Sequence, residues 1–128
     1  MSSPRPRASY VASESIRAAR TCRDHLAGRL GIAVADALLD DGDLRDDAEQ
    51  RLSALGLDVD RLRSERRPFV RLCTDWTERR PHVAGAVGGA LASRLFALGW
   101  IERVDETRAV RLTEAGSKGL RERLQARV

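Results

Sequence analysis

Two stretches of this chain repeat one another. Residues 25–31 read HLAGRLG and residues 82–88 read HVAGAVG, and each opens on one of the chain's two histidines. At an offset of 57, with no gap, residues 25–44 and 82–101 are identical at eight of 20 positions: 25/82, 27/84, 28/85, 31/88, 33/90, 35/92, 38/95 and 42/99. Five further pairs exchange one apolar residue for another: Leu26/Val83, Leu30/Val87, Val34/Leu91, Leu39/Phe96 and Leu44/Ile101. Such a repeat constrains the chain to build one structural unit twice.

The repeated positions have a helical period. Leu26, Leu30, Val34 and Leu38 are spaced by four, as are Val83, Val87, Leu91 and Leu95. Each set predicts a core stripe on a helix. Beside it runs a stripe of small residues, Ala27, Gly31 and Ala35 in one copy and Ala84, Gly88 and Ala92 in the other. Small residues at this spacing let a second backbone approach closely. A glycine inside a helix costs about 1 kcal/mol relative to alanine, and close packing is a reason to keep it.

The remaining signals extend this helical reading. Ser13 is a good N-cap with Glu14 in the first turn, so a helix is expected through SIRAARTCRDHLAG. A second is expected over about residues 29–41, stopped by Gly42. A short helix in DDAEQRLSALG ends at Gly56, and Asp60 is placed to cap another before Pro68. Helices are also expected over 68–79, with Phe69, Val70, Leu72, Cys73 and Trp76 inward, and over 82–98, ended by Gly99. WIERV and RAVRL alternate apolar and polar residues around DET, a hairpin pattern. Thr113 caps a final helix, with Glu114 early and Arg121, Arg123 and Arg127 late.

Composition agrees with a helical core. Apolar residues make up 42% of the 128, but aromatics only 4%. The core is therefore mostly Ala, Leu and Val, which favours helices over strands. Residues 1–10 are expected to be a flexible basic arm and 11–128 a single compact domain. Within it, unit 1 covers about 11–58 and unit 2 about 68–128. Unit 1 reads as a degenerate copy, its hairpin missing or very short. The fold class expected is mainly α, with one small β-hairpin near the C-terminus.

In LASRLFALGWIERVDETRAVRLTEAGSKGL the order is helix, Gly turn, strand, loop, strand, helix, which is that of a winged helix. Three runs carry a longer likeness: ARTCRDHLAGRLGIAVADALL, RPFVRLCTDWTERRPHVAGAVGGAL and RAVRLTEAG. Over about residues 15–122 the chain closely resembles the C-terminal part of one group of ArsR-type transcriptional regulators. CTDWTERRPHVAG is the most distinctive block. The resemblance implies a winged-helix-like, cytoplasmic, DNA-associated regulator, acting as a homodimer. Such regulators usually carry an N-terminal winged helix that reads DNA, whereas here nine or so residues precede the first expected helix. Either this is a detached C-terminal module for dimerisation or effector sensing, or the chain uses its own winged helix. The cysteine-rich metal motif of arsenic-sensing members is absent, and arsenic sensing by that motif is not carried over.

For DNA contact the candidates are Arg79 and Arg80 before the 82–98 helix, Ser93 and Arg94 on its exposed side, and Arg103, Arg108 and Arg111 in the expected wing. The net charge of +4 comes from arginine, with Lys118 the sole lysine. An arginine excess suits a polyanion, although the 19 acidic residues dilute it. Arginines of this kind bind phosphates and position a protein without reading sequence.

Cys22 and His25 stand three apart, which on a helix would share a face. With Cys73 and His82 they make two Cys and two His, a set suited to tetrahedral zinc. A metal or thiol sensor using Cys22, His25, Cys73 and His82, or a Cys22–Cys73 redox switch, is thus a third reading. The bland one has the cysteines as small core residues and the histidines bonded to nearby chain. Asp40, Asp41, Asp43, Asp46, Asp47 and Glu49 read as a solvated turn, with a carboxylate cation site as the alternative. No nucleophile elbow, phosphate loop or HExxH helix occurs, so no catalytic residues are assigned and an enzyme is not expected. No apolar run approaches a membrane span. No signal core opens the chain, which points to the cytoplasm.

Overall fold

A computed structural model describes residues 17–74, 79–104 and 107–128. Among the described residues, 17–18 are helical and lead to a hairpin of β1 (Arg20–Cys22) and β2 (His25–Ala27), which runs into α1 (Gly28–Leu38). A second hairpin, β3 (Leu39–Asp40) and β4 (Asp43–Leu44), leads to α2 (Ala48–Ala54). A short helix α3 (Val59–Arg63) follows. The same order then recurs. Hairpin β5 (Arg71–Thr74) and β6 (Pro81–Ala84) runs into α4 (Gly85–Ala97), and hairpin β7 (Ile101–Arg103) and β8 (Val110–Leu112) leads to α5 (Glu114–Gly119), prolonged by a π-helical turn at Leu120–Leu124.

The expected class, mainly α and winged-helix-like with one β-hairpin, is therefore corrected. The described residues contain five α-helices and four separate two-stranded antiparallel sheets. Two of those hairpins, β1–β2 and β5–β6, lie where helix was expected, and β3–β4 is the first unit's hairpin, expected to be missing or very short. Residues 17–18 are helical, but the chain turns into a strand at Arg20; the expected cap Ser13 lies outside the described residues. The expected helix over 68–79 is strand β5 over Arg71–Thr74, with Leu72 44% exposed; Trp76 lies outside the described residues. The expected helix over 82–98 is strand β6 followed by α4. The helix expected over 29–41 stops at Leu38, and Gly42 turns the β3–β4 hairpin at φ +87° instead of ending a helix. Asp58, not Asp60, caps α3, its side chain accepting from Arg61 N–H. The hairpin pairing Ile101–Arg103 with Val110–Leu112 stands as expected, and so does the Thr113 cap, whose hydroxyl accepts from Gly116 N–H at 3.0 Å.

For the first of the extra hairpins the physical reason is tertiary. Thr21 N–H donates to Arg108 C=O (2.9 Å), and Val110 N–H donates to Ala19 C=O (3.0 Å). Through these bonds the outer edge of β1 is satisfied by a segment near the other end of the chain, a partner no local propensity reports. The strand-to-helix junctions are made alike by Gly28 (φ +72°) and Gly85 (φ +78°), a backbone region that a Cβ disfavours. The start of α4 has no side-chain cap; Ala86 and Val87 N–H donate instead to the carbonyls of Pro68 and Phe69, both at 2.9 Å.

The two core stripes are buried as their spacing predicts. Leu26, Leu30, Val34 and Leu38, and Val83, Val87, Leu91 and Leu95, all belong to one hydrophobic core. Packing is crosswise: α1 lies on β6, α4 lies on β2, and β2 and β6 lie beside each other. The small-residue stripe is what permits it. A Cβ on Gly31 would lie 2.6 Å from Leu26 O and 3.5 Å from the His82 Cβ; one on Gly88 would meet Val83 O more closely still, and the His25 Cβ at 3.1 Å. Each glycine therefore faces the other unit's histidine, a reciprocal contact of the kind two-fold interfaces make.

Candidate functional site

The reciprocal packing brings together the four residues singled out as soft metal donors. Cys22 and His25 are directly opposite in the β1–β2 hairpin, and Cys73 and His82 directly opposite in β5–β6. Directly opposed residues project on the same face of a hairpin, so each hairpin presents one thiol and one imidazole together. The expected geometry for Cys22 and His25, one face of a helix, is corrected: they share a face across strands. A two-residue turn, Arg23–Asp24, joins them, with Arg23 in the left-handed region at φ +55°. One ligand atom from each of Cys22, His25, Cys73 and His82 lies within 4.8 Å of all the others. The imidazole rings are 4.7 Å apart at their centroids and inclined by 43°.

The cluster is largely shielded from water. His25 is 2% and His82 1% exposed, and the cysteines are half-buried free thiols. His25 turns Nδ1 toward Asp24, 3.8 Å away, while its Nε2 is buried with no hydrogen-bond partner. Asp24 is itself held by Arg67 at 2.6 Å. Partial burial opposes ionisation of Asp24, but the Arg67 guanidinium offsets it and leaves the carboxyl pKa lowered. Burial, and then the neighbouring His82, push the His25 pKa down to about 4, so the ring is neutral at pH 7 despite Asp24. Burial, and then Cys22, raise the Cys73 thiol above its ordinary value. A neutral imidazole is the form that ligates a metal.

The acidic run shows no comparable gathering. Asp40 and Asp43 face each other on β3–β4 and are exposed with Asp41, Asp46 and Asp47. Asp47 pairs with Arg51 at 2.6 Å.

The basic residues considered for DNA are dispersed. Arg80 donates twice to the Asp36 carboxylate, at 2.7 and 2.8 Å. Arg94 is half-buried and donates through Nε to Leu55 C=O at 2.6 Å. Arg103 stacks its guanidinium 4.9 Å from the Phe96 ring centroid, and Arg111 pairs with Glu102. Arg79, Ser93 and Arg108 are exposed. Ser93 and Arg103 line one groove; Arg80 and Arg111 line two others. Sequence reasoning missed Arg51, which donates to the carbonyls of Ala37 (3.1 Å) and Leu124 (2.6 Å) and ties α2 to α1 and the final turn. It also missed Asp24 and Arg67 behind His25, because 43 residues separate them.

Among known proteins, the chain is 38% identical over 119 residues to a protein of Bacillus subtilis (strain 168) described as an uncharacterized HTH-type transcriptional regulator, YdfF. The match takes in 86% of this chain and 53% of the relative. The chain thus spans about half the length of the curated relative it matches. No family model matches the chain, and no solved structure matches it. No helix among the described residues is long and apolar enough to cross a membrane.

Proposed function

We propose that this chain is the regulatory part of an HTH-type transcriptional regulator of the ArsR kind, working as a homodimer in the cytoplasm. It carries dimerisation or effector sensing, while base reading is done elsewhere in the regulator. The observation that carries this reading is the 38% identity to an HTH-type regulator of which the chain spans about half. The arginines add support: Arg80, Arg94 and Arg111 are engaged with the protein's own carboxylates or carbonyls. Groups held this way are poorly placed to read base edges, which needs several free donors presented together in one groove.

A second reading has the β7–β8 hairpin touching DNA phosphates directly. It is favoured by the exposure of Arg103, Arg108 and Arg111 on or beside that hairpin. Electrophoretic mobility of random duplex DNA at low salt separates the two. The regulatory reading expects the chain to leave duplex mobility unchanged. Salt-dependent binding that is lost when Arg103, Arg108 and Arg111 are all changed to Ala would overturn it in favour of the second.

A further inference from the structure

We propose that Cys22, His25, Cys73 and His82 form a four-ligand zinc site that joins the two repeat units. The proposal goes beyond the regulatory reading and stands on geometry alone, whether or not the chain acts in transcription.

Three independent observations point to a ligand here. The first is convergence. Two hairpins, well separated along the chain, each place one Cys opposite one His and bring them together, with all four ligand atoms within 4.8 Å. Zinc binds thiolate sulfur at about 2.3 Å and imidazole nitrogen at about 2.0–2.1 Å, so a tetrahedral shell needs its ligand atoms about 3.3–3.8 Å apart. Contraction by about 1 Å completes the shell, the scale of a side-chain adjustment. The second is burial. Two imidazoles are almost fully buried against one another, and the His25 Nε2 is enclosed without a hydrogen-bond partner. An enclosed polar nitrogen with no partner has lost its hydration without replacement, and a metal ion would satisfy it. The third is orientation. The other ring nitrogen of His25 faces Asp24, which Arg67 holds in place. At 3.8 Å this is short of a hydrogen bond; closed to bonding distance, a carboxylate behind a ligating histidine would set the tautomer that leaves the inner nitrogen free to bind.

The donor set selects the ion. Two thiolates and two imidazoles suit zinc and not calcium or magnesium, which take oxygen ligands. All four positions come from protein, leaving none for water or substrate. The site is therefore structural and not hydrolytic. Because each unit supplies half of the ligands, binding energy becomes energy holding the units together. This also explains why the histidines belong to the repeat: Gly31 opens space beside His82, and Gly88 beside His25.

The test uses the reduced, metal-stripped chain and Zn²⁺ alone. One zinc per chain is expected, with a raised Tm and both thiols protected from alkylation. Co²⁺ in its place is expected to give intense tetrahedral d–d bands and thiolate-to-cobalt charge transfer. Cys22→Ser and Cys73→Ser should each abolish stoichiometric uptake. Because a lost ligand can also unfold the chain, His82→Cys is the second variant: it offers another zinc-binding set, so it should keep uptake and strengthen the cobalt charge-transfer band. Any of three results on the folded wild-type chain overturns the site: no zinc retained at one equivalent, a six-coordinate cobalt spectrum without thiolate bands, or thiols equally reactive with and without zinc. A Cys22–Cys73 disulfide that forms as readily with zinc as without it does the same. None of these outcomes bears on DNA binding, so failure of the site and failure of the regulatory reading are told apart.

Discussion

The two repeat units agree up to the ends of their long helices and then part. Both begin with a Cys/His hairpin, a positive-φ glycine and a helix carrying the same two stripes. After α1 the chain makes a hairpin with two-residue strands, Leu39–Asp40 and Asp43–Leu44, whereas after α4 the strands have three residues each, Ile101–Arg103 and Val110–Leu112. The larger hairpin also reaches across to the first unit, where its second strand and the residues before it pair with the outer edge of β1. The constraint lies at the contact between the units. Residues that meet across the reciprocal contact are alike in the two units, and residues that leave it follow their own surroundings.

The largest effects are expected at the stripes. Leu38 and Leu95 hold equivalent positions and are both fully buried. Leu38→Ala and Leu95→Ala should each lower unfolding free energy by about 2–5 kcal/mol in urea denaturation. Losses differing by more than about 2 kcal/mol would mean that the two helices do not share one core equally. The glycines come next. Gly31→Ala and Gly88→Ala force a Cβ against backbone oxygen, and overpacking of this kind is destabilising by about 1–3 kcal/mol. Gly88→Ala should be the worse, because the His25 Cβ is 3.1 Å away where Gly31 has the His82 Cβ at 3.5 Å. The reverse order, measured by the same denaturation, would put the closer approach in the wrong unit.

The smallest effect contrasts the helices that follow the second hairpins. Thr113 caps α5 and also donates to Gly99 C=O at 2.8 Å, whereas the Asp47 side chain makes no cap bond to α2. Thr113→Ala is expected to lower stability by about 1 kcal/mol, and Asp47→Ala to lower it by less, since it loses no cap bond but only the exposed ion pair to Arg51. Equal losses would show that capping is not what separates the two ends.

Much of the packing was legible. The spacing of Leu26, Leu30, Val34 and Leu38 and of their counterparts found the core face, and Ala–Gly–Ala found the close approach. The terminal hairpin and the Thr113 cap were legible from alternation and cap chemistry. The two Cys/His hairpins were not, and β3–β4 was read only as a hairpin missing or very short. ARTCRDHLA is rich in good helix formers, and Arg23–Asp24 is not a glycine turn that announces a hairpin. The four sulfur and nitrogen donors were legible as a set of residue types, but helical spacing gave the wrong reason for their meeting. Cys73 and His82, with eight residues between them, pair as neatly as Cys22 and His25, with two between them, because strand register and not sequence distance sets the pairing.

From sequence alone came the existence of two related units, the residues that face the core and the need for small side chains beside them. These follow from period and size, which are local properties of a chain. It took the tertiary fold to settle that HLAG and HVAG begin as strands, that each helix lies on the other unit's strand, and that two half-buried thiols meet two buried imidazoles. Those outcomes depend on backbone partners and donor atoms brought together from segments far apart in the chain, and no local preference for helix or strand carries that information.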